Sequence, residues 1–449
     1  MSTTNISAGL IKADKSLSEN IDPNLDGKIF ENEEVKKSKK SKKKKKNQDL
    51  KPIEEFFPDG NKYPEGKWLN YDPNYYFEKD NHLDRTTKLE ERYNDTLSKH
   101  EQEWDDMRQA AEIHRRVRNN IQKKITVGMK LIDIVNNLED ATRKFTSTTD
   151  ITQQQETYKS KGIAFPTGIS INDVAAHYTP NRGDETVLKY DDIMKLDFGV
   201  HVNGNIIDSA WTTIMPNKQS KSNEGNPYNS LLTAVQEATN AGIKAAGIDV
   251  RLCDIGEQIQ EVMESYEVDL GNGEILPVKC CRNLCGHNIK PYTIHGGKSV
   301  PIVKNDDTTK MEEFEHFAIE TFGTTGRGYV YTDGEGSHYA INTSRVPKRI
   351  SSVIENDFID KQDKLLKVIW DNFGSLPWCK RYLDKVILAN PKLKMSLEYY
   401  DDLDQLVMNG YVQEYLPLVD IPGSITAQSE HTILLHSHKK EVVSFGDDY

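Results

Sequence analysis

The sequence predicts an α/β sandwich of two similar halves, on three observations. Residues 110–449 carry enough apolar side chains to bury a sizeable core. Along that stretch, segments with a helical apolar period take turns with segments of period two. Their order is helix, hairpin, helices, strands, with no short internal repeat.

Residues 1–50 hold few large apolar side chains, too few to offset the entropy of ordering, and read as a disordered tail. Nine of the eleven residues from Lys36 to Lys46 are lysine, in a chain whose formal net charge is −12. That is a basic tail on an acidic body. Residues 51–100 are rich in Pro, Gly, Asp, Asn and Tyr, with Pro58-Asp59-Gly60 and Tyr63-Pro64-Glu65-Gly66, and read as an extended lead-in with turns. From about 101 a helix is expected, because Met107, Ala110, Ala111, His114, Val117, Ile121 and Ile125 recur at spacings of three and four. Val127-Gly128-Met129 breaks it, and a second helix spans about 131–145 on Leu131, Ile134, Val135 and Leu138.

Residues 162–214 read as strands, with Asn203-Gly204 as a hairpin turn. Residues 229–246 and 254–266 form amphipathic helices, and 277–322 return to strands and loops. Three helical patterns in 360–409 and a short strand-like end at 411–419 mark an inserted helical module. Residues 424–445 read as two strands joined by a turn near His438.

The five cysteines, Cys253, Cys280, Cys281, Cys285 and Cys379, are odd in number and form no disulfide framework. There is no apolar leader and no run of 18 apolar residues. A reduced, intracellular protein without a membrane span is expected.

The chemistry starts at the hairpin. If Asn203-Gly204 is a two-residue loop, position 202 faces 205 and 199 faces 208. Asp197 and Asp208 then emerge on one face as diagonal neighbours, roughly 7–8 Å apart. Leu196, Phe198, Val200, Ile207 and Trp211 occupy the other face, as core. Two carboxylates in a half-buried sheet repel each other and are costly to desolvate, and a divalent cation removes that cost. Two exposed acids on a solvated face are the competing reading, against which the apolar opposite face weighs.

Three further segments supply donors. Cys285-Gly286-His287-Asn288-Ile289 offers an imidazole. Phe317-Ala318-Ile319-Glu320-Thr321-Phe322 sets Glu320 in an apolar strand. Ala427 to Leu435 opens such a strand with Glu430. Four carboxylates and one imidazole suit two Mn²⁺, Fe²⁺, Co²⁺ or Zn²⁺ ions rather than a structural tetrahedral zinc. Cys280-Cys281 is an adjacent pair without a CxxC partner, so buried thiols are preferred to a zinc site. Gly323-Thr324-Thr325-Gly326-Arg327-Gly328 lacks a P-loop lysine and reads as a turn.

These residues, in this order, resemble the metal-ligand set of the pita-bread metallopeptidases. Their contexts resemble the type-2 methionine aminopeptidases: Ala175-Ala176-His177-Tyr178-Thr179-Pro180-Asn181, Lys195-Leu196-Asp197-Phe198-Gly199, Ile207-Asp208-Ser209-Ala210, Gly286-His287, Ile319-Glu320-Thr321-Phe322-Gly323 and the terminal Gly446-Asp447-Asp448-Tyr449. The resemblance covers about 101–449. It implies an α/β (α+β) pita-bread fold, a two-fold pseudo-symmetric sheet sandwich flanked by helices. It also implies a catalytic domain over 101–449 with a winged-helix-like helical insert at 337–415.

The implied activity is co-translational removal of the initiator methionine from nascent proteins with a small second residue, by a water activated between two divalent metal ions (Co, Mn, Fe or Zn). Asp197 would be a terminal ligand of one ion. His287 and Glu320 would complete the other, and Asp208 and Glu430 would bridge. Glu320 is the expected proton partner. His177 would contact the scissile amide, with His295 assisting, and in the family the matching histidine is alkylated by fumagillin-type epoxides. Phe165, Ile294, His338 and Tyr415 would line the methionine slot. The polylysine run Lys36–Lys46 resembles the eukaryotic form and implies contact with ribosomal RNA. A cytoplasmic monomer is expected.

The chain departs from the family at two places. Cys285 stands where relatives usually carry Asn, and the tail lacks a long acidic block between basic runs. An X-Pro dipeptidase of the same fold is disfavoured by the insert and by Ala-Ala-His-Tyr-Thr-Pro. A non-catalytic RNA-binding relative is disfavoured by the intact ligand set, since a repelling acidic cluster without metal lowers stability.

Overall fold

The computed structural model describes residues 50–58, 62–72, 85–148, 159–346 and 361–447, with 85–99 as backbone alone. The polylysine run Lys36–Lys46 lies outside them. Ahead of the first helix, the lead-in carries a 3-10 helix (Ile53–Phe56) and strand β1 (Lys67–Asn70). Met107, Ala110, Ala111, His114, Val117 and Ile121 form the buried stripe of α1 (Arg85–Gln122). This helix begins well before the expected start near 101, so the end of the stretch read as extended is helical. The reason is local: every Pro and Gly of 51–100 lies at or before Pro73, and Arg85–His100 contains no helix breaker. Ile125 falls beyond the helix, in the turn leading to α2 (Leu131–Phe145). That helix buries Leu131, Ile134, Val135 and Leu138.

The strands β2 (Lys161–Ile171), β4 (Ile193–Val202) and β5 (Asn205–Ile214) form an antiparallel sheet in that order, with the short β3 (Val174–Ala176) following β2. Asn203 and Gly204 close the β4–β5 hairpin at φ of 50° and 84°, the left-handed pair that a type I′ turn needs. The register is the one expected from that turn, Val202 opposite Asn205 and Gly199 opposite Asp208. Leu196, Phe198, Val200, Ile207 and Trp211 pack against the stripes of α1 and α2 in one buried core.

The second half repeats the plan. Helices α3 (Asn229–Ala245) and α4 (Leu252–Met263) precede β6 (Cys285–Ile289), β7 (Ser299–Pro301) and β8 (His316–Thr324). The insert follows. Helices α5 (Lys361–Phe373), α6 (Lys380–Ala389) and α7 (Tyr400–Met408) are bracketed by paired strands β9 (His338–Ile341) and β10 (Val412–Tyr415). The insert has its own core, around Tyr339, Leu365, Ile369, Trp378, Leu383 and Leu403. The chain then returns through β11 (Thr426–Leu435) and β12 (Lys439–Val442). The larger sheet runs β1-β12-β11-β8-β6-β7, and α3 and α4 cover its outer face through Leu231, Val235, Ala238, Ile255 and Ile259. Glu430 lies in the middle of β11 and does not open it. The glycine-rich stretch turns only after Thr324, where the Asp420 carboxylate accepts from Thr324 Oγ1 (2.7 Å) and from Arg327 N–H (3.0 Å).

The halves meet where β5 lies beside β11. Strand edges inside a protein must satisfy their N–H and C=O groups, and here hydroxyls replace the ladder. Thr212 Oγ1 donates to the Gln428 carbonyl and accepts from the Gln428 N–H, each at 2.8 Å. Thr432 Oγ1 donates to the Asp208 carbonyl (2.6 Å) and accepts from the Asp208 N–H (2.9 Å). Ser209 Oγ donates to the Glu430 carbonyl at 2.8 Å. Thr212 and Thr432 play the same part from opposite halves, which is the pseudo-two-fold written in hydrogen bonds. No helix among the described residues is long and apolar enough to cross a membrane.

Candidate active site

The seam carries the carboxylates. Asp208 on β5 and Glu430 on β11 sit on the two strands that the hydroxyls join. Asp197 comes from β4, on the face of the hairpin opposite the apolar residues. Glu320 lies directly across from Glu430 in the β8–β11 ladder. His287 on β6 pairs with Ala318, two residues before Glu320 and so on the same face. Five donors thus converge from five strands and from both halves.

Their spacing is close. His287 Nε2 is 3.6 Å from Asp208 Oδ2 and 3.9 Å from Glu320 Oε1. Asp208, His287 and Glu430 offer ligand atoms all within 4.8 Å of one another. Gln428 Nε2 donates to Asp197 Oδ2 (3.1 Å) and Glu320 Oε2 (3.2 Å), tying a carboxylate of each half to one amide.

The electrostatics follow from burial. Asp197 is pushed up to about 6 by desolvation. Asp208, Glu320 and Glu430 are raised well above the ordinary carboxyl value, first by burial and then by neighbouring carboxylates: Asp197 for Asp208 and Glu320, and Asp208 for Glu430. Burial, then the neighbouring His295, holds His287 down to about 3, so its imidazole is neutral and the short contacts to carboxylates are not ion pairs. No donor among the described residues reaches Asp197 Oδ1 or Asp208 Oδ1, although both are buried. Orphaned carboxylate oxygens beside a neutral imidazole are the donor set that divalent cations of the Mn²⁺, Fe²⁺, Co²⁺ and Zn²⁺ group take. The residues fit divalent metal ions.

A cavity of about 310 Å³ opens onto this cluster, and every candidate residue lines it: Phe165, His177, Asp197, Asp208, His287, Ile294, His295, Glu320, His338, Tyr415 and Glu430. Phe165 reaches in because β2 shifts register around it. Its ring occupies the space over Gly199, where a Cβ would come within 2.2 Å. His338 and Tyr415 face each other across the β9–β10 pair, so the base of the insert forms one wall. His338 is held by Ser337 Oγ (3.0 Å) and the Pro166 carbonyl (3.3 Å). The His177 ring lies 5.7 Å from Tyr415 and 6.0 Å from His338. His295 packs edge-on to His287 at 4.4 Å. Burial, then His295, lowers His177 to about 4, leaving it a neutral imidazole at neutral pH.

Gln428 and Lys195 are among the lining residues that the sequence reading did not single out. Gln428 shares its face with Glu430 by period two, a usable signal. Lys195 shares its face with Asp197 by the same rule. It is fully buried, donates to the Asn172 carbonyl at 2.8 Å, and is lowered by desolvation to about 7. Cys285 stands on the His287 face of β6 with its thiol pushed up by burial. All five cysteines are free.

A two-half sandwich with carboxylates and an imidazole gathered on its seam defines a metal-dependent hydrolase of the pita-bread class. The profile of Metallopeptidase family M24 matches residues 105–359. Methionine aminopeptidase 2 of Saccharomyces cerevisiae is 56% identical over 397 residues, covering 88% of this chain and 86% of that protein. Methionine aminopeptidase 2 of Kluyveromyces lactis is 55% identical over 400 residues, covering 89% and 88%. The chain belongs to metallopeptidase family M24, among its type-2 methionine aminopeptidases. A solved structure of a thermophilic Arx1 shares the fold, with a TM-score of 0.57 at 16% identity over 77% of this chain and 91% of that one.

Proposed function

We propose that this metalloaminopeptidase removes the initiator methionine from nascent chains with a small second residue, using two divalent ions held by Asp197, Asp208, His287, Glu320 and Glu430. The observation that supports this best is the pairing of a carboxylate-rich seam with an apolar-walled cavity to which the insert adds one wall. Bound there, the ions would polarise the scissile carbonyl and lower the pKa of a water. Asp208 and Glu430, on the two seam strands, would be shared by the ions, with Asp197 a ligand of one and His287 and Glu320 ligands of the other. With divalent ions bound, Glu320, which lines the cavity, would be ionised and would accept the proton of the attacking water. His177, neutral at working pH, presents a ring nitrogen to the scissile amide, with His295 assisting. Phe165, Ile294, His338 and Tyr415 wall the methionine side chain.

His177→Ala is expected to lower turnover of Met-Ala-Ser by about a hundredfold while metal stays bound. Turnover at the wild-type rate, with metal retained, would remove His177 from the mechanism.

The basic run Lys36–Lys46, in an acidic chain, supports a second step of the reading. It holds a cytoplasmic, monomeric enzyme near ribosomal RNA through phosphate contacts. Deleting residues 36–46 is expected to weaken co-sedimentation with ribosomes, most visibly at low salt, and to leave peptide turnover intact. Equal co-sedimentation at low salt with and without the run would defeat this step.

A further inference from the structure

Arg381, on α6 of the insert, is 5% exposed, and all five of its N–H donors are engaged. Its fork closes on Glu139 of α2, Nη1 to Oε2 at 3.0 Å and Nη2 to Oε1 at 2.8 Å. Nη1 also reaches Asn136 Oδ1 at 3.3 Å. The two remaining bonds go elsewhere. Nε donates to the Pro180 carbonyl at 2.8 Å, and Nη2 to Thr179 Oγ1 at 2.9 Å. Thr179 and Pro180 follow closely on His177.

His177 has a φ of 61°. A residue with a β-carbon stays in that left-handed region only where its surroundings impose it. Three grips act on the segment. Ile169 N–H donates to the Tyr178 carbonyl at 2.8 Å. Ser337 Oγ donates to the His177 carbonyl (3.1 Å) and accepts from the Thr179 N–H (3.2 Å). Arg381 is the third. Ser337 and Arg381 both belong to the insert. A planar guanidinium whose fork is fixed on a fully buried carboxylate has no freedom left, so it passes the position of α2 to Thr179 and Pro180.

We propose that Arg381, oriented by Glu139, is a positioning residue for His177: through Thr179 and Pro180 it holds the left-handed backbone that turns the imidazole into the cavity. The insert is then a clamp on the His177 segment as well as a pocket wall. This inference rests on the reading that His177 acts in turnover.

Arg381→Lys keeps a positive charge opposite Glu139 but cannot span Glu139, Thr179 and Pro180 together. The test measures kcat and KM on Met-Ala-Ser for full-length, metal-loaded Arg381→Lys, alone and combined with His177→Ala, beside metal content and thermal midpoint. Arg381→Lys is expected to retain its metal and to lose kcat ten- to a hundredfold, with KM changed by less than about threefold. In the His177→Ala background it is expected to cost no further kcat. An unchanged kcat in folded Arg381→Lys, or a loss of equal size in both backgrounds, overturns the proposal, because a structural defect would not pass through His177. If His177→Ala alone turns over normally, the reading of His177 fails and the clamp with it. Should Arg381→Lys not fold, Thr179→Val removes only the hydroxyl that Arg381 holds, and the same cycle with His177→Ala decides.

Discussion

Asp208→Ala or Glu430→Ala is expected to abolish methionine release from Met-Ala-Ser, on the order of a thousandfold or about 4 kcal/mol of barrier, and to deplete the protein of metal. These two carboxylates sit on the seam strands, each fixed by hydroxyl bonds to its own main chain, Asp208 by Thr432 and Glu430 by Ser209. The same substitution has an opposite effect on the metal-free fold. In the absence of cations the cluster is a cost, because burial and mutual repulsion push its carboxyls up, Asp197 from about 4 to about 6. A carboxyl whose folded value is raised leaves the folded state binding more protons, so stability falls as pH rises through that range. Chelator-treated wild type is expected to lose thermal stability between pH 4 and pH 8, and Asp208→Ala to lose less. Wild-type turnover in a well-folded, metal-depleted Asp208→Ala would end the two-metal assignment. A steeper loss of stability in that variant than in metal-free wild type would end the electrostatic account.

The Asp197/Asp208 pair was legible in the sequence from a local signal, while the roles of the other site residues were expected from the family resemblance. Asn203-Gly204 sets the hairpin register, and the register alone puts Asp197 and Asp208 on one face. His338 and Tyr415 flank the insert in sequence, and they face each other because the insert returns to where it left. What the chain could not disclose depends on partners far apart. Thr432 serves Asp208 across 224 residues, and Gln428 serves Asp197 across 231. No periodicity reports which hydroxyl will meet which strand edge. Phe165 needed the register shift in β2 and the missing Cβ of Gly199, neither visible as a pattern. The early start of α1 is a different failure: the Pro and Gly residues of 51–100 all lie at or before Pro73, so its overall composition misdescribes 85–100, which holds neither.

Arg381→Met is expected to lower the unfolding free energy by about 3 to 5 kcal/mol at neutral pH, the usual consequence of leaving a buried charge without its partner. Glu139 is fully buried, and its nearest other cation, Arg143, stands off at 3.7 Å and is shared with Asp140. Burial by itself would raise the Glu139 carboxyl, but the charge and fork of Arg381 override it and hold the group at about 2. In wild type the folded value is therefore below the ordinary one near 4.5. The pair's contribution is present above that value and fades as pH falls towards 2. In Arg381→Met the burial penalty is opposed only by the weaker pull of Arg143 and Lys385, and the sign is expected to reverse, so the variant gains stability as acid protonates Glu139. The deficit relative to wild type should be largest at pH 7 and shrink on acidification. Adding Glu139→Gln removes the stranded charge and should recover part of the loss at pH 7 while changing little at pH 4. Urea unfolding of wild type, single and double variants at both pH values measures all of this. A double variant as unstable as Arg381→Met at neutral pH would mean that Arg381 stabilises through its bonds to Thr179, Pro180 and Asn136, and that the Glu139 charge is carried by other groups.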